Sequence, residues 1–335
     1  MALDGKVLRR AMDRYEQQLR KRELETARLR ERIYLKDPRV AELDRMLRST
    51  VAEAAAIAVS GGSDPVKAIE AVQNKNLAMQ DERRMRITAL GYPGNCLDDE
   101  PLCPICNDLG WLGTKPCRCL RKLYTEEQRK ELSRLLNLQG ESFQSFRLDY
   151  YDSRRDPVTA MSPRQNMEMI YQICRSYAET FGPYSGSLFL TGAPGLGKTF
   201  LSACIASAVA EKGFSVVYDT AVNVVASFEE ARFGRRGEQE EAEADVKRYL
   251  RCDLLILDDL GTELNTAFSV SAVYELLNTR LRDGKNTVVS SNLSPDELDK
   301  RYSPQIASRL RGNFEVLKFF GQDIRQLKRL GKTFA

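Results

Sequence analysis

The sequence predicts an α/β nucleotide-binding fold: a parallel sheet of five core strands with helices on both faces, preceded by an all-α segment and a small cysteine-rich module. Three observations carry this. Apolar runs at 187–191, 214–219, 253–258, 286–291 and 314–319 alternate with helical stretches, the pattern of βα units. The stretch GAPGLGKT follows the first of these runs and opens a small-residue helix. Two close cysteine pairs stand upstream of the sheet, between residues 96 and 119.

Length and composition bound the rest. With 335 residues and 42% hydrophobic content, the chain can bury a large core and still carry an appendage. The net charge of +4 is small for this size, so nucleic-acid contact must come from a local patch. Histidine is absent, which excludes Ser/His/Asp and Cys/His nucleophile systems and every histidine-containing metal motif. No apolar run reaches the roughly 20 residues a membrane helix needs, and the first residues lack the apolar centre of a secretion signal. A cytoplasmic protein with no membrane contact is expected, in which eight cysteines serve as ligands or buried small residues rather than disulfides.

The N-terminal region, 1–92, reads as helices. From Asp4 to about Leu35 charge is dense and a heptad-like seam runs through Leu8, Met12, Tyr15, Leu19, Leu29 and Ile33, ending at Asp37-Pro38. A second helix passes through Val40, Leu43, Leu47 and Val51 to Gly61-Gly62, and Ser63-Asp64-Pro65 starts a third that reaches about Leu90. A solvated bundle and a partner-binding module have the same pattern. Residues 93–140 hold the cysteines and a linker helix from Thr125 to Leu138; 141–335 begins with the aromatic-rich connector ESFQSFRLDYYD and a helix over Ser162–Phe181. Residues 235–245 are acidic and read as a loop at their start.

Gly192, Ala193, Pro194, Gly195, Leu196, Gly197, Lys198 and Thr199 match G-x-x-x-x-G-K-[ST] between a strand and a helix, with Phe200 next in line. Glycines allow backbone amides to turn inward around phosphate oxygens, and the helix N-terminus adds partial positive charge. Lys198 is expected to reach the β- and γ-phosphates of ATP and Thr199 to place its hydroxyl on Mg²⁺. A buried strand, Leu254 to Leu257, then delivers Asp258 as the second magnesium residue and Asp259 as the base that orients water. Asn292 ends a later strand and suits either a γ-phosphate contact or a helix cap. Downstream, RYSPQIASRLRGNF carries Arg301, Arg309 and Arg311.

Together GAPGLGKT, LILDDLGTE, SSN, IASRL and GQDIR resemble the AAA+ P-loop ATPases of the replicative helicase-loader group, DnaC and DnaI in kind, with IstB as close kin, over roughly residues 141–335. The resemblance implies that Asn292 senses the γ-phosphate, that Arg309 is a finger offered to a neighbouring subunit, and that Arg325 is a second sensing arginine. It also implies self-assembly through the ATPase domain, contact with single-stranded DNA, and docking of the N-terminal region on a hexameric replicative helicase. The acidic pair is Asp-Asp rather than Asp-Glu, and with the given sequence ending on DIRQLKRLGKTFA a helical lid is not expected. An ATPase helper of transposition is the alternative within the same core. A small-molecule kinase is disfavoured, because paired aspartates, Asn292 and Arg309 form a hydrolysis set.

Cys103-x-x-Cys106 and Cys117-x-Cys119 can enclose tetrahedral Zn²⁺, with Cys96 a further candidate; reduced structural cysteines or a redox pair are the other readings. Loaders of the DnaI kind carry such a module ahead of the ATPase. Cys174, Cys204 and Cys252 fall in helix or strand patterns and read as buried small residues.

Overall fold

The computed structural model describes residues 3–60, 65–136, 142–157 and 160–334. The Gly61-Gly62 break, the Ser63-Asp64 helix start and the expected 140/141 boundary lie outside the described residues. Two compact units form, one from Met12–Leu120 and the other from Met1–Ala11 with Arg121–Ala335. The helices and cysteine module, separated at residue 92 in the sequence reading, thus fall in one unit, and the first eleven residues go with Arg121–Ala335.

Helix α1 (Gly5–Lys36) is followed by α2 (Pro38–Ser60) and α3 (Pro65–Ala89). Proline at the first position of α2 tolerates the missing amide there, and Asp37 accepts the Arg39 amide at 3.0 Å. The buried face of α1 runs through Val7, Ala11 and Tyr15, then Ile33. This corrects the expected start of the seam by one position, since Met12 is 37% exposed. Val7, Ala11 and Tyr15 also lie at helical spacing, and the small Ala11 permits close packing that the larger Met12 does not need. Within Met12–Leu120, Ile33, Val40, Ile87 and Leu97 form a small core, and Arg83 reaches Asp44 at 2.6 Å and Asp98 at 2.7 Å. A two-residue ladder, β1 (Trp111–Leu112) with β2 (Lys115–Pro116), closes the cysteine module.

The other unit contains α4 (Arg118–Leu136) from Arg121 onward, two 3-10 turns at Phe143–Ser145 and Leu148–Tyr150, and α5 (Pro163–Thr180). There follow β3 (Ser187–Thr191), α6 (Lys198–Glu211), β4 (Val216–Thr220), α7 (Ala221–Phe233), α8 (Arg236–Arg251), β5 (Leu254–Leu260) and α9 (Ala267–Arg282). The chain continues through β6 (Asn286–Ser291), α10 (Pro295–Arg301), α11 (Pro304–Asn313), β7 (Phe314–Lys318) and α12 (Ile324–Arg329). The loop expected at the start of 235–245 is helical, because α8 begins at Arg236; its buried residues Ala242 and Tyr249 are seven apart, two turns of one face.

All five strands are parallel, in the order β4-β5-β6-β3-β7. Apolar residues cover both faces: Leu188, Leu190 and Ile256 enter a core with α5 and α6, while Phe189, Leu255 and Leu257 enter another with α7 and α9. Two-sided burial explains why these strands read as continuous apolar runs. The strand order has a direct consequence. Because β6 lies between β3 and β5, the residue following β6 stands between the loop after β3 and the acidic tip of β5.

Candidate nucleotide site and cysteine cluster

Gly192, Gly195 and Gly197 all have left-handed backbone, with φ of 145°, 78° and 95°. At two of them space as well as backbone requires glycine. A Cβ on Gly192 would stand 2.2 Å from the Phe319 carbonyl oxygen, and one on Gly195 would stand 2.0 Å from Asp323 Oδ1. The segment after β7 therefore braces the loop, and the Ile324 amide donates to the Gly195 carbonyl at 2.9 Å. Tyr151 braces it from the connector, donating its hydroxyl to the Leu196 carbonyl at 3.0 Å.

Lys198 is 5% exposed, and its ammonium donates to the carbonyls of Gly192 at 2.6 Å and Ala193 at 2.8 Å and to Asn292 Oδ1 at 2.8 Å. Three acceptors satisfy its three donors. Burial depresses its pKa, and the Asp259 and Asp258 charges oppose that shift. Asn292 Nδ2 approaches Asp259 Oδ1 at 3.5 Å, so Asn292 faces the lysine with one end and the acid with the other.

The acidic tip is shaped by a bulge. The β5–β6 register shifts between Leu257 and Leu260, and Asp259 has φ of 55°. A bulge re-aims side chains, and aspartate tolerates left-handed backbone better than most residues. Asp258 is 4% exposed and accepts hydrogen bonds on its two oxygens from Tyr218 of β4 and Ser290 of β6. Ser290 Oγ in turn accepts the Asp259 amide at 3.0 Å. Asp259 is half-buried, and burial followed by the Asp258 charge raises its pKa. The two aspartates thus differ: Asp258 is sealed and fixed, whereas Asp259 lines the cavity.

That cavity has a volume of about 370 Å³, within the range of small-molecule sites. It is lined by the loop residues Pro194 to Thr199, by Asp259 and Asn292, and by Ser145, Phe146, Tyr150, Tyr151 and Phe200. Arg147, Arg325 and Lys328 add positive charge. Gly192 and Ala193, expected on the ligand, offer their carbonyls to Lys198 in this structure. The aromatic wall was missed as a site; its signal was the density of aromatic residues in FQSFRLDYY, which read only as a connector. Tyr218 and Ser290 carried no sequence signal, since they matter only through the strand order.

Three of the named arginines lie elsewhere. Arg309 does not line the cavity: its guanidinium donates to Asn278 Oδ1 at 2.6 Å and Tyr274 Oη at 3.2 Å and stacks 4.7 Å from the Tyr274 ring. Arg301 packs on Glu263, and Arg311 pairs with Asp299 at 2.8 Å.

In the Met12–Leu120 unit, the sulfurs of Cys103, Cys106, Cys117 and Cys119 lie within 4.8 Å of one another. Local backbone creates this cluster. Asn107 and Asp108 are left-handed, Asp108 accepts the amides of Leu102 at 3.0 Å and Cys103 at 2.8 Å, and the Gly110 amide donates to Cys106 Sγ at 3.3 Å. Burial opposes the Cys106 thiolate, but the Gly110 amide and the neighbouring thiols bring its pKa down to about 7. Burial pushes Cys119 up to about 12. Four sulfurs so grouped form a set suited to a soft, tetrahedral ion. Cys96 is not in the group; it packs against the Ile33, Val40 and Ile87 core. Cys174, Cys204 and Cys252 are buried, as read from the sequence.

The strand order, phosphate loop and acidic tip define an α/β fold with a P-loop nucleotide site. Residues 179–312 match the IstB-like ATP binding protein family. The replicative helicase loader DnaC of Escherichia coli is 22% identical over 160 residues, covering 48% of this chain and 64% of that protein. The replicative helicase loader DnaI of Bacillus subtilis is 29% identical over 192 residues, covering 56% of each. The match thus spans less than two thirds of either relative. A solved structure of the DnaC helicase loader aligns with a TM-score of 0.43 at 18% identity, over 54% of this chain and 98% of that one. Among the described residues, no helix is long and apolar enough to cross a membrane.

Proposed function

We propose that the chain is an ATP-hydrolysing loader of a hexameric replicative helicase. The observation that carries this reading is the 370 Å³ cavity, whose lining brings together the phosphate loop, Asp259, Asn292 and the rings of Phe146, Tyr150, Tyr151 and Phe200. In this reading the triphosphate draws Lys198 away from its three acceptors, and the base stacks against the connector aromatics. Thr199 and Asp258 hold Mg²⁺, with Asp258 acting through water because both oxygens already accept hydroxyls; a carboxylate keeps lone pairs beyond those two. The ion, when bound, neutralises charge on the phosphoryl oxygens. Asp259 orients the attacking water and accepts its proton, and its raised pKa suits a base. Asn292 and Arg325 contact the γ-phosphate side. Arg309, directed at α9 in its own chain, acts on the nucleotide of a neighbouring copy.

Single-stranded DNA is assigned to a patch at the end of α7. Phe233 is 68% exposed and meets Phe268 at 5.6 Å between ring centroids, and Leu264 is 83% exposed. Arg232, Arg235 and Arg236 stand exposed beside it. Aromatic faces stack bases while guanidinium groups meet phosphates, each stacked base being worth about 1–3 kcal/mol. The helices of the Met12–Leu120 unit dock on the helicase, and four thiolates hold a structural Zn²⁺ there.

The test uses the full chain. Mixed with a hexameric replicative helicase, it is expected to form a complex, to place the helicase on single-stranded DNA only with ATP, and to fail with Lys198→Ala. Loading by Lys198→Ala at the wild-type level contradicts the reading. The family match favours one second reading, an ATPase helper of transposition; binding to a transposase on duplex DNA, with no helicase complex, selects it.

A further inference from the structure

Glu263 closes the run LDDLGTE and is one of the most deeply buried charged residues, with a side chain 2% exposed. A carboxylate is costly to bury unless it is bonded. Here Oε2 accepts the Gly261 amide at 2.9 Å and Oε1 accepts the Tyr302 hydroxyl. Arg301 stands 3.7 Å away through Nε and donates through Nη2 to the Glu263 carbonyl.

These bonds join two segments that hold proposed catalytic groups. On one side is the turn that begins at Asp259. It is bent twice through left-handed residues, Asp259 at 55° and Gly261 at 104°, and Thr262 returns both its amide and its hydroxyl to the Asp259 carbonyl, at 3.2 and 2.8 Å. On the other side Arg301 ends α10 and Tyr302 leads into α11, the helix that carries Arg309. Leu264 and Phe268 of the proposed DNA patch follow directly in sequence, and Ser269 donates to the Leu264 carbonyl at 2.6 Å.

We propose that Glu263 is a positioning residue that fixes the Asp259 turn and fastens it to the α10–α11 junction, so that movement of α11 on subunit contact alters the placement of Asp259. This inference rests on the ATPase reading above. The carboxylate touches no nucleotide; it acts through Asp259, and a displacement of about 1 Å at a reacting group can cost on the order of 10²-fold in rate.

Glu263→Gln, which keeps shape and one acceptor oxygen, and Tyr302→Phe, which removes only the hydroxyl, are the variants to compare with wild type. The expected result for Glu263→Gln is a kcat lowered on the order of 10²-fold with ATP affinity within about twofold of wild type, the same direction but a smaller loss in Tyr302→Phe, and no further loss when Arg309→Ala is added to Glu263→Gln. Non-additivity of that kind marks coupled residues. A wild-type kcat in Glu263→Gln, a parallel collapse of affinity and thermal stability, or simple additivity with Arg309→Ala overturns the inference. If the wild type binds ATP without turnover, the ATPase reading fails, and hydrogen exchange decides the inference separately. A non-hydrolysable analogue should then change protection at 259–263 and 301–303 together in wild type but only at 259–263 in Glu263→Gln; identical responses overturn it.

Discussion

The nucleotide cavity and the cysteine cluster are built in opposite ways. The cavity gathers residues 145–151, 194–203, 259, 292 and 324–328, segments far apart in sequence that meet because five parallel strands end on the same side. The cluster takes four sulfurs from Cys103 to Cys119 and positions them with turns of a few residues, and the small apolar core nearby does not include them. The difference teaches what each site leans on. A cavity framed by a double-sided core owes its shape to the sheet, whereas four sulfurs held by local turns are the set that the proposed zinc would tie together. Apparent zinc binding of roughly 10–16 kcal/mol is large beside the whole stability of such a small module.

The largest expected effect follows from that contrast. Chelation of the proposed zinc, or Cys103→Ser with Cys117→Ser, should abolish protection of the 96–120 amides in hydrogen exchange, while the nucleotide-binding core keeps its protection and its nucleotide affinity. Equal loss in both units would erase the distinction. Next, Lys198→Ala should weaken ATP binding by about two orders of magnitude, the scale of a lost charge-assisted contact set of about 3 kcal/mol, with circular dichroism unchanged.

Hydrolysis should also fall on acidification at a higher pH than an ordinary aspartate gives. Burial and Asp258 raise the Asp259 pKa, and a base works only above its pKa, so the loss comes as pH drops through that raised value. Asp259→Asn, which keeps the left-handed backbone, should remove turnover and its pH dependence together; a retained pH profile would assign the base elsewhere. The smallest effect belongs to Arg309→Ala. It should lower hydrolysis in assemblies and leave a verified monomer unchanged, since the guanidinium bonds to Asn278 and Tyr274 in its own chain.

How much of this was legible depended on distance along the chain. GAPGLGKT and the cysteine pairs are local patterns, so spacing alone exposed them. The five strands were legible because both faces are buried, leaving apolar runs whose observed limits differ from the sequence reading by only a few residues. What spacing does not encode is adjacency across the sheet. Tyr218 and Ser290 flank Asp258 only because β4 and β6 flank β5, and Tyr151 reaches the phosphate loop across 45 positions. The start of the expected heptad seam shifted for a related reason: Leu8 and Met12 are apolar, but Val7 and Ala11 are the buried pair, while Tyr15 and Ile33 are buried as read. In the same way, Asp259 has a left-handed backbone at a bulge, and no pattern of letters announces a bulge.

The central claim is that one triphosphate is gripped between the loop of Gly192–Thr199 and the acids after β5, with Asn292 between them. The most direct measurement is a structure of the full chain with Mg²⁺ and a non-hydrolysable ATP analogue. The account requires Lys198 Nζ to leave the Gly192 and Ala193 carbonyls for phosphate oxygens, with the terminal phosphate beside Asn292 and Asp259. An analogue bound elsewhere, with Lys198 still on its own loop, would contradict it.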